Sequence, residues 1–394
     1  MTEYMLRGTM ELPERFEFDF DRPTPVYRAG EIVSGRLIVD VASALPLRTL
    51  HVVMRGESYV EWEEDDTESG KTEARIIKDK SEIINLKRII MGRTGADIVA
   101  NEITEGKHEF PFSFQLPTCK LPTSYEGEYG HVRYWVKAVM DRPWMSKPTT
   151  KRCFTVLETH EHNVNRLARK SSETLETTVC SFLCKSDLIS LEVSTNKQGY
   201  CIGEPIIMCL ECKNYSKSNF LETRASLIQR VAYRAHDGNK LRTTYNTLSH
   251  KRGDAPQSRG TLRWTNEEID IPSVPLTTMS DCLIQVSYSL KVTLLGKRTK
   301  HVPTLEVILP ITIVDKVCQR TRKFSRNSLH SHRLSIPGTP DTKEDNYLNN
   351  ITDLTTEQFQ LSASGECDVR DGQDDKYIMG ELTFTPVYPC VVTD

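Results

Sequence analysis

At 394 residues and 45.0 kDa, the chain has room for two or three domains of roughly 150 residues each. Its hydrophobic share is 38%, below the usual ~45–50% even though that figure also counts glycine, and no run of about 18 apolar residues occurs; a membrane-embedded protein is excluded and some unfolded polar sequence is expected. A net charge of -3 from 51 basic and 54 acidic residues gives no global attraction to nucleic acid, which is not expected as a partner.

Residues 1–15 read as an N-terminal arm. Residues 1–30 contain no basic region leading into an apolar one, so no secretory signal is expected and the chain is read as cytoplasmic. From Phe16 to Leu157 the text is that of strands. Phe16, Phe18 and Phe20 alternate with Glu17, Asp19 and Asp21, and Phe110, Phe112 and Phe114 repeat the two-residue period of a half-buried strand. Ile32 to Val41, Leu50 to Trp62 and Val132 to Val139 continue it between Gly, Pro and acidic turns. Only Ser81 to Met91 suggests a short helix. Residues 158–187 are polar and charged and read as a linker. From Leu188 to Asp315 the strand grammar returns, most clearly where Val286, Tyr288, Leu290, Val292 and Leu294 alternate with polar neighbours. Short strands spaced by turns, without helices between them, indicate antiparallel β-sandwiches and not a parallel α/β sheet.

The two halves resemble each other. Tyr27-Arg-Ala-Gly30-Glu31 matches Tyr200-Cys-Ile-Gly203-Glu204 at an offset of 173, and Val132-Arg-Tyr134-Trp-Val-Lys137 matches Val286-Ser-Tyr288-Ser-Leu-Lys291 at an offset of 154. The difference is what extra loop length in the first half produces, with the acidic stretch Glu61 to Glu68 a candidate for part of it. Two copies of one sandwich is the economical reading.

After Asp315 the composition changes. Residues 316–340 carry six Lys or Arg and no acid, whereas residues 341–394 carry twelve Asp or Glu against three Lys or Arg. Charge blocks with few large apolar residues cannot offset chain entropy by burial, so residues 316–394 are read as a disordered tail.

No phosphate-cradling Gly-rich loop, GxSxG, HExxH, kinase signature or EF-hand spacing occurs. No clustered acid, base and nucleophile is legible either, and the expectation is a protein that is not an enzyme and needs no cofactor or metal. Cys209-Leu-Glu-Cys212 has the spacing of half a zinc or redox site, but on a strand residues i and i+3 point to opposite faces. Cys180 and Cys184, in the linker, are better placed for reversible lipid attachment. The eleven cysteines are expected to be reduced, and their odd number leaves at least one unpaired.

The combination of two tandem sandwiches, each entered through a Tyr-x-x-Gly-Glu turn, resembles the arrestin fold. The string from Leu121 through Tyr125, Gly127, Gly130, Arg133, Trp135 and Lys137 to Ala138, followed by Asp141-Arg-Pro-Trp144, is similar to the N-terminal signature of the α-arrestins, the arrestin domain-containing proteins. Arg259-Gly-Thr-Leu-Arg-Trp264, Ile271-Pro-Ser-Val-Pro and Asp281 to Leu290 resemble their C-terminal domain. The resemblance covers about residues 16 to 315. It implies two immunoglobulin-like antiparallel β-sandwiches, at 16–157 and 188–315, in an adaptor.

Such an adaptor links membrane receptors or transporters to endocytosis and endosomal sorting, recruiting WW-domain HECT ubiquitin ligases through tail PPxY motifs. A short proline-containing segment suits this, because polyproline II docks an aromatic groove at little ordering cost. Here the only candidate is Thr385-Pro386-Val387-Tyr388, with Thr where the first Pro belongs, so Pro386 and Tyr388 are the candidate ligase contacts. The alternative is a retromer-like trafficking scaffold without ligase recruitment. Arg133, Lys137, Arg142 and Lys147, expected near one end of the first sandwich, are candidates for acidic or phosphorylated cargo segments or for peripheral contact with anionic lipid. Trp135, Trp144 and Trp264 are read as packing residues. Ser325 and Ser335, each behind basic residues, are candidate phosphorylation sites whose phosphate would cancel that charge. A redox coupling found within the family needs a cysteine before Trp264, where Thr261 stands instead.

Overall fold

The computed structural model describes residues 12–66, 73–93, 101–142, 147–159, 164–180, 186–217, 219–296, 303–315, 358–362, 365–370 and 377–390. The first unit comprises Arg15–Phe20 (β1), Val26–Arg28 (β2), Ile32–Val41 (β3), Leu45–Leu47 (β4), Thr49–Asp66 (β5), Glu73–Gly92 (β6), Asn101–Ile103 (β7), Gly106–Gln115 (β8), Tyr125–Gly127 (β9), Gly130–Asp141 (β10) and Thr149–Leu157 (β11). One sheet runs β1-β3-β8 and the other β2-β11-β10-β5-β6. Their inner faces interdigitate: Phe16, Phe18 and Phe20 of β1 are buried, as the alternation requires, and Phe18 meets Phe112 edge-on at 5.2 Å.

After the helical turn Val164–Leu167 (α1), the second unit follows as Ser171–Cys180 (β12), Ser186–Thr195 (β13), Gly199–Cys201 (β14), Ile206–Asn214 (β15), Phe220–Ala235 (β16), Lys240–Gly253 (β17), Thr261–Ile269 (β18), Ile284–Gly296 (β19) and Pro303–Val314 (β20). Its sheets are β12-β13-β15-β18 and β14-β20-β19-β16-β17. Val286, Tyr288, Leu290, Val292 and Leu294 all point into the core. The two units are therefore tandem, mostly antiparallel β-sandwiches.

The duplicated strings do the same physical work in both copies. In the first, Gly30 takes φ +80, Glu31 donates its N–H to the Arg28 carbonyl and its carboxylate accepts the Arg28 N–H at 2.8 Å. In the second, Gly203 takes φ +84, Glu204 donates to the Cys201 carbonyl and accepts the Cys201 N–H at 3.1 Å. Only glycine adopts that backbone freely, and the glutamate closes the turn. The turn sets a short strand, β2 or β14, parallel to the last strand of its sandwich, β11 or β20. Tyr134 and Tyr288 also correspond, each donating its hydroxyl to a proline carbonyl, Pro122 at 2.7 Å and Pro275 at 2.6 Å. The ring of Tyr134 lies over Gly56, where a Cβ would stand 2.6 Å from it. Gly56→Ala is expected to cost about 1–3 kcal/mol; an unchanged urea midpoint would mean that the ring moves aside freely.

Two stretches depart from the reading of the sequence. Ser81 to Met91 is not helical; it lies within β6, paired along β5 with bulges at Leu50/His51 and Gly56/Glu57. Long-range pairing and the stiff isoleucines at 83, 84, 89 and 90 override a local period that reads as helix. Ser171–Cys180, read as linker, pairs with β13 over its whole length as an edge strand of the second sandwich; one face of an edge strand is wet, so its composition is polar.

The sandwiches meet along a polar seam. Tyr125 and Tyr233 share a hydroxyl–hydroxyl bond of 3.1 Å, the His236 N–H donates to Asp79 at 2.7 Å and Arg242 donates to the Tyr129 hydroxyl at 3.1 Å. At the other end Arg28 pairs with Asp315 at 2.7 Å, and the Met279 N–H donates to Glu158 at 3.2 Å.

Candidate functional site

Strand β10 has two unlike faces. Val132, Tyr134, Val136, Ala138 and Met140 enter the core, while His131, Arg133, Trp135, Lys137, Val139 and Asp141 point outward. On β11 the register sets Thr155, Cys153 and Lys151 beside Arg133, Trp135 and Lys137. Outward positions on a sandwich ordinarily face water, yet here Lys151 is only 2% and Arg133 only 9% exposed.

What covers them is a set of short strands within residues 358–390. Gln358–Leu361 (β21), Cys367–Asp368 (β22), Ile378–Met379 (β23), Thr383–Phe384 (β24) and Val387–Cys390 (β25) are strands. β21 pairs with β25, β22 with β24, and β23 runs parallel to β11. The expectation of a disordered tail is thus corrected over these segments; residues 316–357 lie outside the described residues. Averaging charge over residues 341–394 diluted the short run from Leu382 to Tyr388, which buries two large side chains, Phe384 and Tyr388.

The docking is built from backbone acceptors and apolar anchors. Lys151 Nζ donates to the Val369 carbonyl at 2.7 Å and stands 4.6 Å from the Trp135 ring centroid. Arg133 donates to the Asp368 carbonyl at 3.0 Å while holding Glu126 with two bonds of 2.6 and 2.8 Å. Trp135, Cys153, Val369 and Phe384 form one apolar cluster. The Val387 N–H donates to Thr155 Oγ1 at 3.1 Å. Tyr388 is fully buried and donates its hydroxyl to the Ser124 carbonyl at 2.9 Å; burial and the neighbouring Tyr288 push its phenol well above the ordinary value. Ser273 of the second sandwich donates to the Gln360 carbonyl at 3.2 Å, so the segment touches both units.

These facts relocate the residues singled out in the sequence. Arg133, Lys137, Arg142 and Lys147 do not gather at one end. They run along and past β10, Arg133 and Asp141 being about 26 Å apart at ~3.3 Å per residue. Arg133 is committed to Glu126 and the tail, Arg142 is buried, and Lys147, 57% exposed, pairs with Asp141 at 3.0 Å. Pro386 and Tyr388 are both buried. Thr385, standing where a PPxY motif has its first proline, donates its hydroxyl to the Gly365 carbonyl at 3.2 Å, and the Pro386 carbonyl accepts the Ser362 N–H at 2.8 Å. Ser325, Ser335 and Trp144 lie outside the described residues. Trp264 lies partly buried against the core, over Gly253. Cys209 and Cys212 face opposite sides of β15, and burial pushes the Cys212 thiol up to about 12. Lys151, Trp135, Val369 and Phe384 escaped the sequence reading as a site; the one signal was a Lys and a Trp on the wet face of adjoining strands.

Beside the seat, Glu57 is buried next to Arg133. Burial alone would raise its carboxyl, but hydrogen bonds from His131 at 3.4 Å and Lys80 at 2.5 Å outweigh that and hold it at about 2. A depressed carboxyl contributes stability above its ordinary value of 4.5, lost as pH falls from 4.5 toward 2. The chain is expected to lose on the order of 2 kcal/mol more than Glu57→Gln over that window; equal acid losses in denaturant titrations would remove Glu57 from the account.

Among the described residues no group of three His, Cys, Asp or Glu is placed to hold a metal, and no helix is long and apolar enough to cross a membrane. The two sandwiches match, in order, the family described as "Arrestin (or S-antigen), N-terminal domain" over residues 16–163 and that described as "Arrestin (or S-antigen), C-terminal domain" over residues 185–317. The chain is 30% identical to arrestin domain-containing protein 4 of Homo sapiens over 314 residues, 79% of this chain and 72% of that protein, and 30% identical to its Mus musculus counterpart over 74% and 69%. It is 26% identical to the thioredoxin-interacting protein of Homo sapiens over 96% of this chain and 97% of that protein. The chain belongs to the α-arrestins, a family of adaptors rather than catalysts.

Proposed function

We propose that this α-arrestin links membrane receptors or transporters to endocytosis and endosomal sorting, working in the cytoplasm and moving to the plasma membrane and endosomes with its cargo. The observation that carries the reading is the pair of tandem sandwiches, a broad two-lobed surface, with a Pro-x-Tyr element on a segment joined to it by residues 316–357. Lys137 and Lys147 remain candidates for acidic cargo or anionic lipid, and phosphate on Ser325 or Ser335 would weaken lipid attachment. Pro386 and Tyr388 would recruit a WW-domain HECT ubiquitin ligase once free of the sandwich.

The burial of Tyr388, with Thr385 in place of a proline, favours a second reading, a retromer-like scaffold that recruits no ligase. A panel of WW domains mixed with a peptide spanning residues 381–394, native and Tyr388→Ala, separates the two. Binding abolished by the substitution supports the ligase adaptor. Failure of every WW domain, with membrane cargo still co-precipitating with the full chain, supports the scaffold; loss of both overturns the adaptor reading.

A further inference from the structure

Beside the Tyr125–Tyr233 bond the seam between the sandwiches opens into a cleft of about 380 Å³, a volume within the range of small-molecule sites. Its walls come from β9 of the first unit and from β16 and β17 of the second, with Ser362 and Cys367 at the margin. Packing alone does not account for what lines it. The inward positions of β16 are apolar at Ala225, Leu227, Val231 and Ala235, yet at the cleft they are Gln229 and Tyr233. Gln229, only 6% exposed, donates to the Tyr288 hydroxyl at 3.2 Å and accepts from the Asn246 amide of β17 at 3.3 Å. A buried amide costs free energy unless it is bonded, and an apolar side chain there would need no such network. Polarity placed on a core face beside an open cleft points to a solute that uses it.

The walls limit what that solute is. No Lys, Arg or His lines the cleft, so an anion finds no charge partner. Nearby Arg133 is turned to Glu126, and Arg242 stands over the Tyr129 ring at 4.8 Å. The cleft presents acceptors instead. Glu128 is exposed and has no ion pair among the described residues, and Asn246, its amide hydrogen given to Gln229, keeps an oxygen for the cleft. A Cβ on Gly127 would run into the hydroxyls of Tyr125 and Tyr233, so this glycine lets both rings lie against β9. Burial pushes the Tyr233 phenol up and the Glu128 charge adds to it, which keeps the ring neutral. Leu248, Val274 and Pro275 supply apolar surface. A carboxylate, neutral phenol rings and an apolar patch, with no competing cation, suit an ammonium or guanidinium carried on an apolar body.

We propose that this cleft is a binding site for a small amphipathic amine, and that its occupant ties the two sandwiches together. The inference goes beyond the adaptor reading and needs neither cargo nor ligase. A ligand touching β9 and β17 at once binds best where those strands keep their present spacing, so its binding and a fixed angle between the sandwiches support one another.

The test uses the full chain and three probes that share one body and differ in the head: phenethylamine, 2-phenylethanol and 3-phenylpropionate. In titrations followed by calorimetry and ligand-observed NMR, phenethylamine is expected to saturate one site and to bind at least ~10-fold more tightly than the alcohol or the carboxylate. Glu128→Gln is expected to weaken phenethylamine ~10-fold with little change in the thermal midpoint of the free chain. Leu248→Trp, which fills the cleft, is expected to abolish binding; should it fail to fold, Asn246→Trp at an exposed position of the same wall replaces it. Hydrogen exchange at residues 125–128 and 240–248 is expected to slow together on saturation. The site is overturned if the three probes bind alike, if none saturates, or if Glu128→Gln and the filled cleft leave phenethylamine binding unchanged. Protection confined to one wall overturns the coupling of the sandwiches.

Discussion

Replacing Arg133 by leucine is expected to destabilise the first sandwich by about 3–5 kcal/mol, because it strands a buried carboxylate. Glu126 is 4% exposed and its partner in this structure is the Arg133 guanidinium, which grips both oxygens. The cost comes from the charge left behind and not from the loss of the pair as such, so Arg133→Leu combined with Glu126→Leu is expected to recover most of the stability. Urea unfolding of the two singles and the double decides this. A double variant as unstable as the arginine single would mean that packing, not the orphaned charge, sets the loss. The same comparison bears on cargo binding: an arginine held on two sides within the protein is a poor receptor for an incoming phosphate.

Tyr388→Ala is expected to free the docked segment at residues 358–390 without unfolding either sandwich. Truncating a fully buried aromatic costs about 3–5 kcal/mol, more than short strands and three anchors can spare. Limited proteolysis should cut residues 358–390 rapidly in this variant while its thermal midpoint stays near that of the unaltered chain. Tyr388→Phe, which removes the hydroxyl's bonds to the Ser124 carbonyl and the Ser362 side chain, is expected to cost about 1–2 kcal/mol and to leave the segment mostly protected. Equal protection in all three chains would show that Tyr388 contributes nothing to the docking.

The fold was largely legible because a strand's alternation is local and strongly marked: Phe16, Phe18 and Phe20, or Val286 to Leu294, specify their buried faces without reference to partners. The duplication was legible too, since a Gly at positive φ and a Glu three residues after a backbone N–H leave a fixed spacing. What escaped depends on partners distant in sequence. Ser81 to Met91 is a strand because β5 lies beside it, and Ser171–Cys180 is one because β13 does. The site was legible only in part. Arg133 and Lys137 were picked for their charge, but charge does not tell whether a group meets solvent, Glu126 or the chain's own carbonyls. Thr385 was read as a defect in a proline motif, and its hydroxyl bond to Gly365 gives it another purpose.

The parallel strands carry a consequence for synthesis. β2, at residues 26–28, can pair only when β11, at 155–157, has been made, and β14, at 199–201, waits for β20, at 312–314. Each sandwich therefore leaves the ribosome with an open margin for several seconds, at ~5–20 residues per second. Phe384 and Tyr388 are translated after both sandwiches. Every newborn copy passes through an interval in which Trp135 and Lys151 are uncovered and available to whatever chaperone or client is at hand.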